Sequence, residues 1–438
     1  MTYRPRIAPL AFALAGSLFL AGCASTPTTP DTTRGDATTR QAATPVAAFF
    51  DRFSDDWMRR QPSASTGSRY FDGPLQSEMD RQLTPQTAEF RRGTLALAER
   101  GIVELARFDR SGMSDVERVS AELMDWQLRS AVEGERYDDY NFPLQQFSGA
   151  NVGLPNLMTV VHPVRSEEDA RNYLARLGLF ETRMDEATAR ARELAARDIL
   201  PPRFILDATI AQMQQFIDGP AAGNPLVATF AQRLESVDAL DADARAALVA
   251  EATRTVQDGV YPAWSRAIAE LRAQQPRATD DAGLWRFDDG AEVYAYHLRR
   301  FTSTGLGADE IHAIGRREVA RIEAEMDTIL RSLGRTEGSV ESRVAQLRKD
   351  LAYSNDDAGR AAIMADIETM MRDAERRADA LFDIRPKTPV IAQPYPEYRW
   401  ASAAASYTAP PLDGSRPGVY QMPLRPDRLT RFGLRTLV

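Results

Sequence analysis

Residues 307–334 read "GADEIHAIGRREVARIEAEMDTILRSLG" and decide the fold class of the chain. Ile311, Gly315, Val319, Ile322, Met326, Ile329 and Leu333 recur in steps of three and four, the period of one helix face. Gly307 is a plausible N-cap, with Glu310 at the third helical position, and Gly334 closes the segment. A stripe this regular is expected to pack against other helices.

The same period extends towards the N-terminus. In "VAAFFDRFSDDWMRR" (46–60), Val46, Phe49, Phe50, Phe53, Trp57 and Met58 share one broad apolar face. "SDVERVSAELMDW" (114–126) opens with the capping box Ser114 and Glu117, and Val116, Val119, Leu123 and Trp126 form its expected buried stripe. The segment from Ser166 carries acidic residues in its first turn and is expected to stay helical until Pro201-Pro202. Another helix follows from about Arg203 to Ile217. "DALDADAR" near Asp238 reads as the acidic start of a helix, since it lacks the Gly and terminal Glu of a calcium loop. "GLWRFDDGAEVY" (283–294), with its turn at Asp288-Asp289-Gly290, is either a small hairpin or a turn before the next helix.

On the C-terminal side, helices are expected around 338–352 and 357–382. The character then changes. "TPVIAQPYP", "ASAAASYTAPP" and "GVYQMPL" are short, β-compatible and separated by Pro and Gly turns, so three strands are expected. A last helix is expected from about Asp427. Its "RFGLRTLV" (431–438) shows no Gly, Asn or Pro cap and ends on apolar Leu437 and Val438. No repeat of solenoid period is present. The reading is mainly α: a large helical domain over 45–384, then a small β-sheet plus the start of a terminal helix over 385–438.

The 438 residues are 43% hydrophobic, a globular value, and carry a net charge of −8, which argues against a nucleic-acid partner. Lys349 and Lys387 are the only lysines, so the remaining cationic positions are arginine, a habit of composition rather than a device. The N-terminus is more specific. Arg4 and Arg6 precede an apolar run from Ile7 to Ala21, too short to span a bilayer comfortably, and then Leu20-Ala21-Gly22-Cys23. This ending resembles a bacterial lipobox, in which the cysteine becomes the lipidated first residue. Cys23 is the only cysteine, which leaves no intrachain disulfide. Acyl chains there would anchor the protein to the lipid membrane at roughly 0.8 kcal/mol per buried CH₂. Residues 1–23 thus read as a signal peptide with lipobox, and 24–44, rich in Thr, Ser and Pro, as a disordered tether. Ala24 and Ser25 differ from the aspartate of an inner-membrane retention signal, which favours an outer-membrane lipoprotein facing the periplasm.

Chemistry is sparse. The three histidines, His162, His297 and His312, lack the i, i+4 partner of a helical zinc site. His297 and His312 read better as structural residues, and His162 precedes Pro163 in an expected extended segment. "GSRPG" (414–418) lacks the spacing of a nucleophile elbow, "STGLGADE" lacks the third glycine of a dinucleotide loop, and no P-loop is present. The residues give no complete catalytic constellation.

Five segments, however, resemble one bacterial family, domain of unknown function 885. They are "FFDRFSDDWMRRQPSAST", "HPVRSEEDARNYLARLG", "ARDILPPRFILDATI", "LGADEIHAIGRREVARIEAEM" and "SYTAPPLDGSRPGVYQMPL", in family order and reaching from about Pro45 to the end. The resemblance implies a zincin-like metallopeptidase fold. Its hallmark helix carries His-Glu-x-x-Pro-Gly-His after a segment like "RFGLRTLV", with two histidines binding zinc and the glutamate activating water. No residue here matches that motif, so no catalytic residue, metal ligand or cofactor is carried over. The expectation is an incomplete zincin-like fold, cut short before the motif and inactive as this chain; the alternative is a non-enzymatic, lipid-anchored module that binds peptide or a partner. Resemblance also makes Val419–Met422 the strand expected to pair with an extended peptide. Tyr407, Arg416 and Tyr420 become candidate substrate-binding side chains: the phenols could hydrogen-bond a tetrahedral intermediate and the guanidinium could hold a carboxylate. Equally, all three could pack and pair within the small sheet.

Overall fold

The computed structural model describes residues 44–435 apart from 384 and 402. The expected signal peptide, Cys23, most of the tether, Leu437 and Val438 lie outside the described residues. The chain divides into two compact units. The first comprises residues up to Asp280 with Pro411–Ser415, and the second Asp281–Pro410 with Arg416 onward. The architecture is mainly helical, with a three-stranded sheet near the C-terminus.

In the first unit, helix Pro45–Arg60 buries Val46, Phe49, Phe53, Trp57 and Met58, the face expected from their spacing. Phe53 and Trp57 stack with ring centroids 6.0 Å apart. Each fully buried side chain of this kind contributes about 1.5–3 kcal/mol. Ser114 and Glu117 form the expected reciprocal capping box at the start of helix Asp115–Gly134. Asp241 likewise accepts from the Ala244 N–H and starts helix Ala242–Thr255. The helix begun at Ser166 does not run unbroken to the prolines. It stops at Leu177, and a second helix spans Phe180–Ala196, because the chain turns at Gly178-Leu179. Helix Arg203–Ile217 then follows, as expected.

One stripe in this unit is corrected. Val116, Val119, Leu123 and Trp126 are exposed, whereas Ala121, Met124, Leu128 and Ala131 are buried. Both sets repeat in steps of three and four and lie roughly 140° apart on the helix. The smaller set wins because it faces helix Ala88–Leu105 at Gly101, where a Cβ would stand 2.3 Å from the Phe53 ring and 3.0 Å from Leu128. Only a close approach of the two helices fills that space.

In the second unit, a 3₁₀ turn at Leu284–Arg286 precedes helix Gly290–Thr302, so the segment around Asp288 is a turn and not a hairpin. Helix Ala308–Ser332 has Gly307 as N-cap, and Gly334 takes the left-handed conformation just beyond its end. Its stripe is the second correction. Val319, Ile322, Ile329 and Leu333 are exposed, and Leu330 is the buried residue of the helix. The helix has 25 residues, about 37 Å. Its described neighbour, helix Val340–Asp350, has 11 and can cover less than half of that length. Helix Asp357–Ala378 supplies Ile363 and Ile367 to the core of this unit, with Tyr353, Met422, Leu424 and Leu434. The last described helix is Arg431–Leu434 rather than one begun near Asp427. Thr430 caps it, accepting from the Gly433 N–H, and pairs in an isolated bridge with Ala352.

Candidate functional site

Three strands form where the Pro- and Gly-rich punctuation allowed them: β1 (Val390–Pro394), β2 (Ser406–Thr408) and β3 (Gly418–Met422). Their order is β1-β3-β2, with β1 parallel and β2 antiparallel to β3. β3 is therefore the central strand, and its backbone is engaged on both sides. The expectation that Val419–Met422 pairs with a peptide is overturned for that physical reason, and the available edges are those of β1 and β2.

The β1 edge can be read from its ladder. The Gly418 N–H donates to the Pro389 carbonyl at 2.9 Å, and the Tyr395 N–H to the Met422 carbonyl at 2.9 Å. Odd-numbered residues thus face β3. Val390 and Ala392 turn their N–H and C=O groups outward, and Pro394 presents only a carbonyl.

Register brings the two candidate tyrosines together. Tyr407 on β2 stands opposite Tyr420 on β3, and directly paired residues share a face. The Tyr407 ring leans over Gly418, where a Cβ would lie 2.6 Å from its hydroxyl, so β3 begins with glycine. Tyr420 packs with Ala392 against the helical core of the unit. Burial pushes the Tyr420 phenol up to about 12. Burial also raises Tyr407, opposed by the nearby positive charge of Arg416. Both phenols keep their protons at neutral pH and can donate hydrogen bonds. Arg416 donates to the carbonyls of Ala409 at 2.8 Å and Pro417 at 3.0 Å, holding the loop between β2 and β3.

The opposite face of the sheet carries residues that sequence reasoning missed. Gln393, Gln421 and Ser406 form one row across the three strands. The Tyr395 hydroxyl meets the Ser406 hydroxyl, and the Arg399 guanidinium lies 4.3 Å from the centre of the Tyr395 ring. No sequence signal marks this row, because register alone assembles it.

His162 is buried in the first unit and contacts Arg176 and the Asp169 carbonyl. His297 in the second unit stacks on Phe301 at 5.9 Å, and His312 is exposed on helix Ala308–Ser332. Among the described residues no three His, Cys, Asp or Glu side chains converge as a metal-ligand set. These residues do not fit the zinc that the resemblance implies, and no zinc-activated water can be assigned to them.

A family model described as "Bacterial protein of unknown function", domain of unknown function 885, matches residues 32–438. Among solved structures, a candidate lipoprotein from Colwellia psychrerythraea is 24% identical with a TM-score of 0.79, the match covering 89% of this chain and 70% of that one. A second candidate lipoprotein of unknown function, from Shewanella oneidensis, is 17% identical with a TM-score of 0.51, covering 90% of this chain and 67% of that one. Both likenesses concern the fold. No curated protein matches the chain.

Proposed function

The chain belongs to the bacterial family of domain of unknown function 885, and from that premise we propose a lipid-anchored envelope protein whose C-terminal sheet binds extended peptide. Three observations support the anchor. The lipobox-like Leu20-Ala21-Gly22-Cys23 supplies a thiol for lipidation. Both solved relatives carry the description of candidate lipoproteins. No helix among the described residues is long and apolar enough to cross a membrane. The residues after Cys23 favour the outer membrane with the folded part in the periplasm.

The observation that carries the peptide reading is the β1 edge. Val390 and Ala392 present outward donors and acceptors that a further strand would pair with. Tyr420 and Tyr407 stand in the same row as Ala392, and both phenols keep their protons at neutral pH. Peptide recognition is common to the zinc-dependent peptidase that the family resemblance implies and to a non-enzymatic binding module. The described residues are assigned to binding.

The test uses a fluorescein-labelled heptapeptide of alternating Thr and Val and the full-length chain in detergent, read by fluorescence anisotropy. Val390→Pro removes an outward N–H at the first residue of the strand, where proline is tolerated. The expected result is saturable binding weakened about fivefold by the substitution, with an unchanged melting temperature. Absence of saturable binding by the wild-type chain would sink the proposal.

A further inference from the structure

Two buried polar atoms in the second unit are orphans. Gln421 is 3% exposed and Arg399 is 9% exposed, and neither Gln421 Oε1 nor Arg399 Nε has a hydrogen-bond partner among the described residues. A buried acceptor or donor without a partner is costly, and such groups are rarely left so. One is an acceptor and the other a charged donor, and a chain of contacts through Ser406 and Tyr395 links the two residues. Gln421 faces the same side as its register partner Ser406, Ser406 meets the Tyr395 hydroxyl, and the Tyr395 ring carries the Arg399 guanidinium. Tyr395 is fixed in turn, because its carbonyl accepts from Trp400 Nε1 at 2.7 Å. At the edge of the sheet the row ends in exposed Gln393 on β1.

We infer that this sheet face is a carboxamide subsite, in which a bound C=O accepts from Arg399 Nε–H while the attached N–H donates to Gln421 Oε1. A carboxamide is the small group that offers one acceptor and one donor side by side, which is the pair the cluster lacks. A carboxylate would satisfy Arg399 and leave the Gln421 oxygen facing like charge. The group can come from the peptide main chain or from an Asn or Gln side chain. The subsite rests on the peptide reading above and adds a specificity determinant to it.

The experiment compares three labelled Thr-Val heptapeptides on the full-length chain in detergent: one with central Gln, one with central Met, and one with a central N-methylated amide. A side-chain source predicts that wild type binds the Gln peptide about tenfold more tightly than the Met peptide. A main-chain source predicts equal affinity for Gln and Met peptides and a tenfold loss on N-methylation. In either case Gln421→Met and Arg399→Met erase the difference. Gln421→Met also leaves the melting temperature of the free chain unchanged or raised, since it removes an orphan and keeps the shape. The inference is overturned if both variants retain the wild-type pattern of affinities, or if Gln421→Met lowers the melting temperature of the free chain by several degrees, which would show that Oε1 is satisfied internally. Val390→Pro separates the two ideas, because it weakens all three peptides equally when only the edge is at work. No binding of any peptide by wild type overturns the subsite and the peptide reading together.

Discussion

Arg176 donates an N–H to Nδ1 of His162 across 3.0 Å, and both side chains are buried. A guanidinium cannot accept, so Nδ1 is bare and the ring proton sits on Nε2, facing the Asp169 carbonyl at 3.3 Å. Tyr173 packs edge-on against the ring, and Arg233 donates to the His162 carbonyl at 2.8 Å. Burial and then the charge of Arg176 hold the imidazole well below its ordinary titration range against the opposing hydrogen bond to the Asp169 carbonyl, with smaller help from Arg233 and Arg69.

Acid should therefore weaken this protein before its carboxylates titrate. The native His162 stays neutral, while the unfolded one takes a proton near pH 6.5. Above that pH the residue gives no pH dependence. Below it the unfolded state binds the extra proton, and stability falls by about 1.4 kcal/mol per pH unit until the native ring also titrates. Urea unfolding at pH 7.5, 6.5 and 5.5 should show the decline, and His162→Gln, which keeps an acceptor for Arg176, should remove most of it. Half-buried His297, also lowered by burial and then by Arg300, supplies a smaller remainder. Equal wild-type stability at pH 7.5 and 5.5 would refute the assignment.

The guanidinium of Arg176 serves more than the histidine. It also donates to the carbonyls of Gln82 at 2.8 Å and Met79 at 2.7 Å, and to Thr66 Oγ1 at 2.6 Å. The Thr66 hydroxyl in turn donates a hydrogen bond to the Asp80 carboxylate at 2.7 Å. Burial lowers the guanidinium to about 10, still charged at neutral pH. Arg176→Met strands these acceptors in the core, and a loss of about 3–5 kcal/mol is expected by urea unfolding. Arg176→Lys keeps the charge but not the planar fork, so it should recover only part of the loss. A full rescue by lysine would show that charge, not geometry, matters at this position.

Local signals were legible in the sequence and long-range ones were not. The starts at Ser114 and Ser166, the acidic helix start near Asp238 and the end at Gly334 depend on residues within one turn, and each stands where its own pattern puts it. The strands follow from Pro and Gly punctuation, but their order does not. β1 and β3 are neighbours although β2 lies between them in sequence. Arg176 reads as one more surface arginine in an arginine-rich chain. Its partners Thr66, Met79 and Gln82 lie 110, 97 and 94 residues away, beyond any local pattern. Of the candidate side chains, Tyr407 and Tyr420 are paired by register, while Gln421 and Arg399 become visible only when the sheet is assembled.

The two stripes of helix Asp115–Gly134 give a paired test on one element. Leu123 is 50% exposed and Leu128 is 1% exposed. Leu128→Ala opens a cavity beside Phe53 and Gly101 and should cost about 2–5 kcal/mol. Leu123→Ala, on the outer stripe, should change stability by less than about 0.5 kcal/mol. Comparable losses at the two positions would mean that the outer stripe is covered in solution.

Metal and membrane behaviour bear on the proposed function. Metal analysis of the purified chain should find no stoichiometric zinc; one tight zinc per chain would overturn the reading of His162, His297 and His312 as structural. Cys23→Ser should release the protein from membranes on fractionation. Unchanged retention would remove lipidation as the anchor.

Gly101→Ala asks whether packing or propensity governs the centre of the first unit. In an exposed helix interior the change stabilises by roughly 0.5–1 kcal/mol, because glycine has more backbone freedom to lose. Here the new Cβ would stand 2.3 Å and 2.9 Å from ring carbons of Phe53 and 3.0 Å from a methyl of Leu128. Phe53 itself packs between Phe49 and Trp57, with ring centroids 5.9 Å and 6.0 Å away, which resists movement of its ring along that line. Helices Ala88–Leu105 and Asp115–Gly134 must then separate, which loosens the burial of Leu97, Leu105 and Met124 as well. Overpacking of this kind costs about 1–3 kcal/mol, more than the propensity gain returns. A net loss of about 1–2 kcal/mol is expected by urea unfolding. Phe53→Leu in the same chain should recover part of it by vacating the space, a coupling that a double-mutant cycle measures directly. A neutral or stabilising Gly101→Ala would mean that the two helices are not held at the distance that buries Leu128 in place of Leu123.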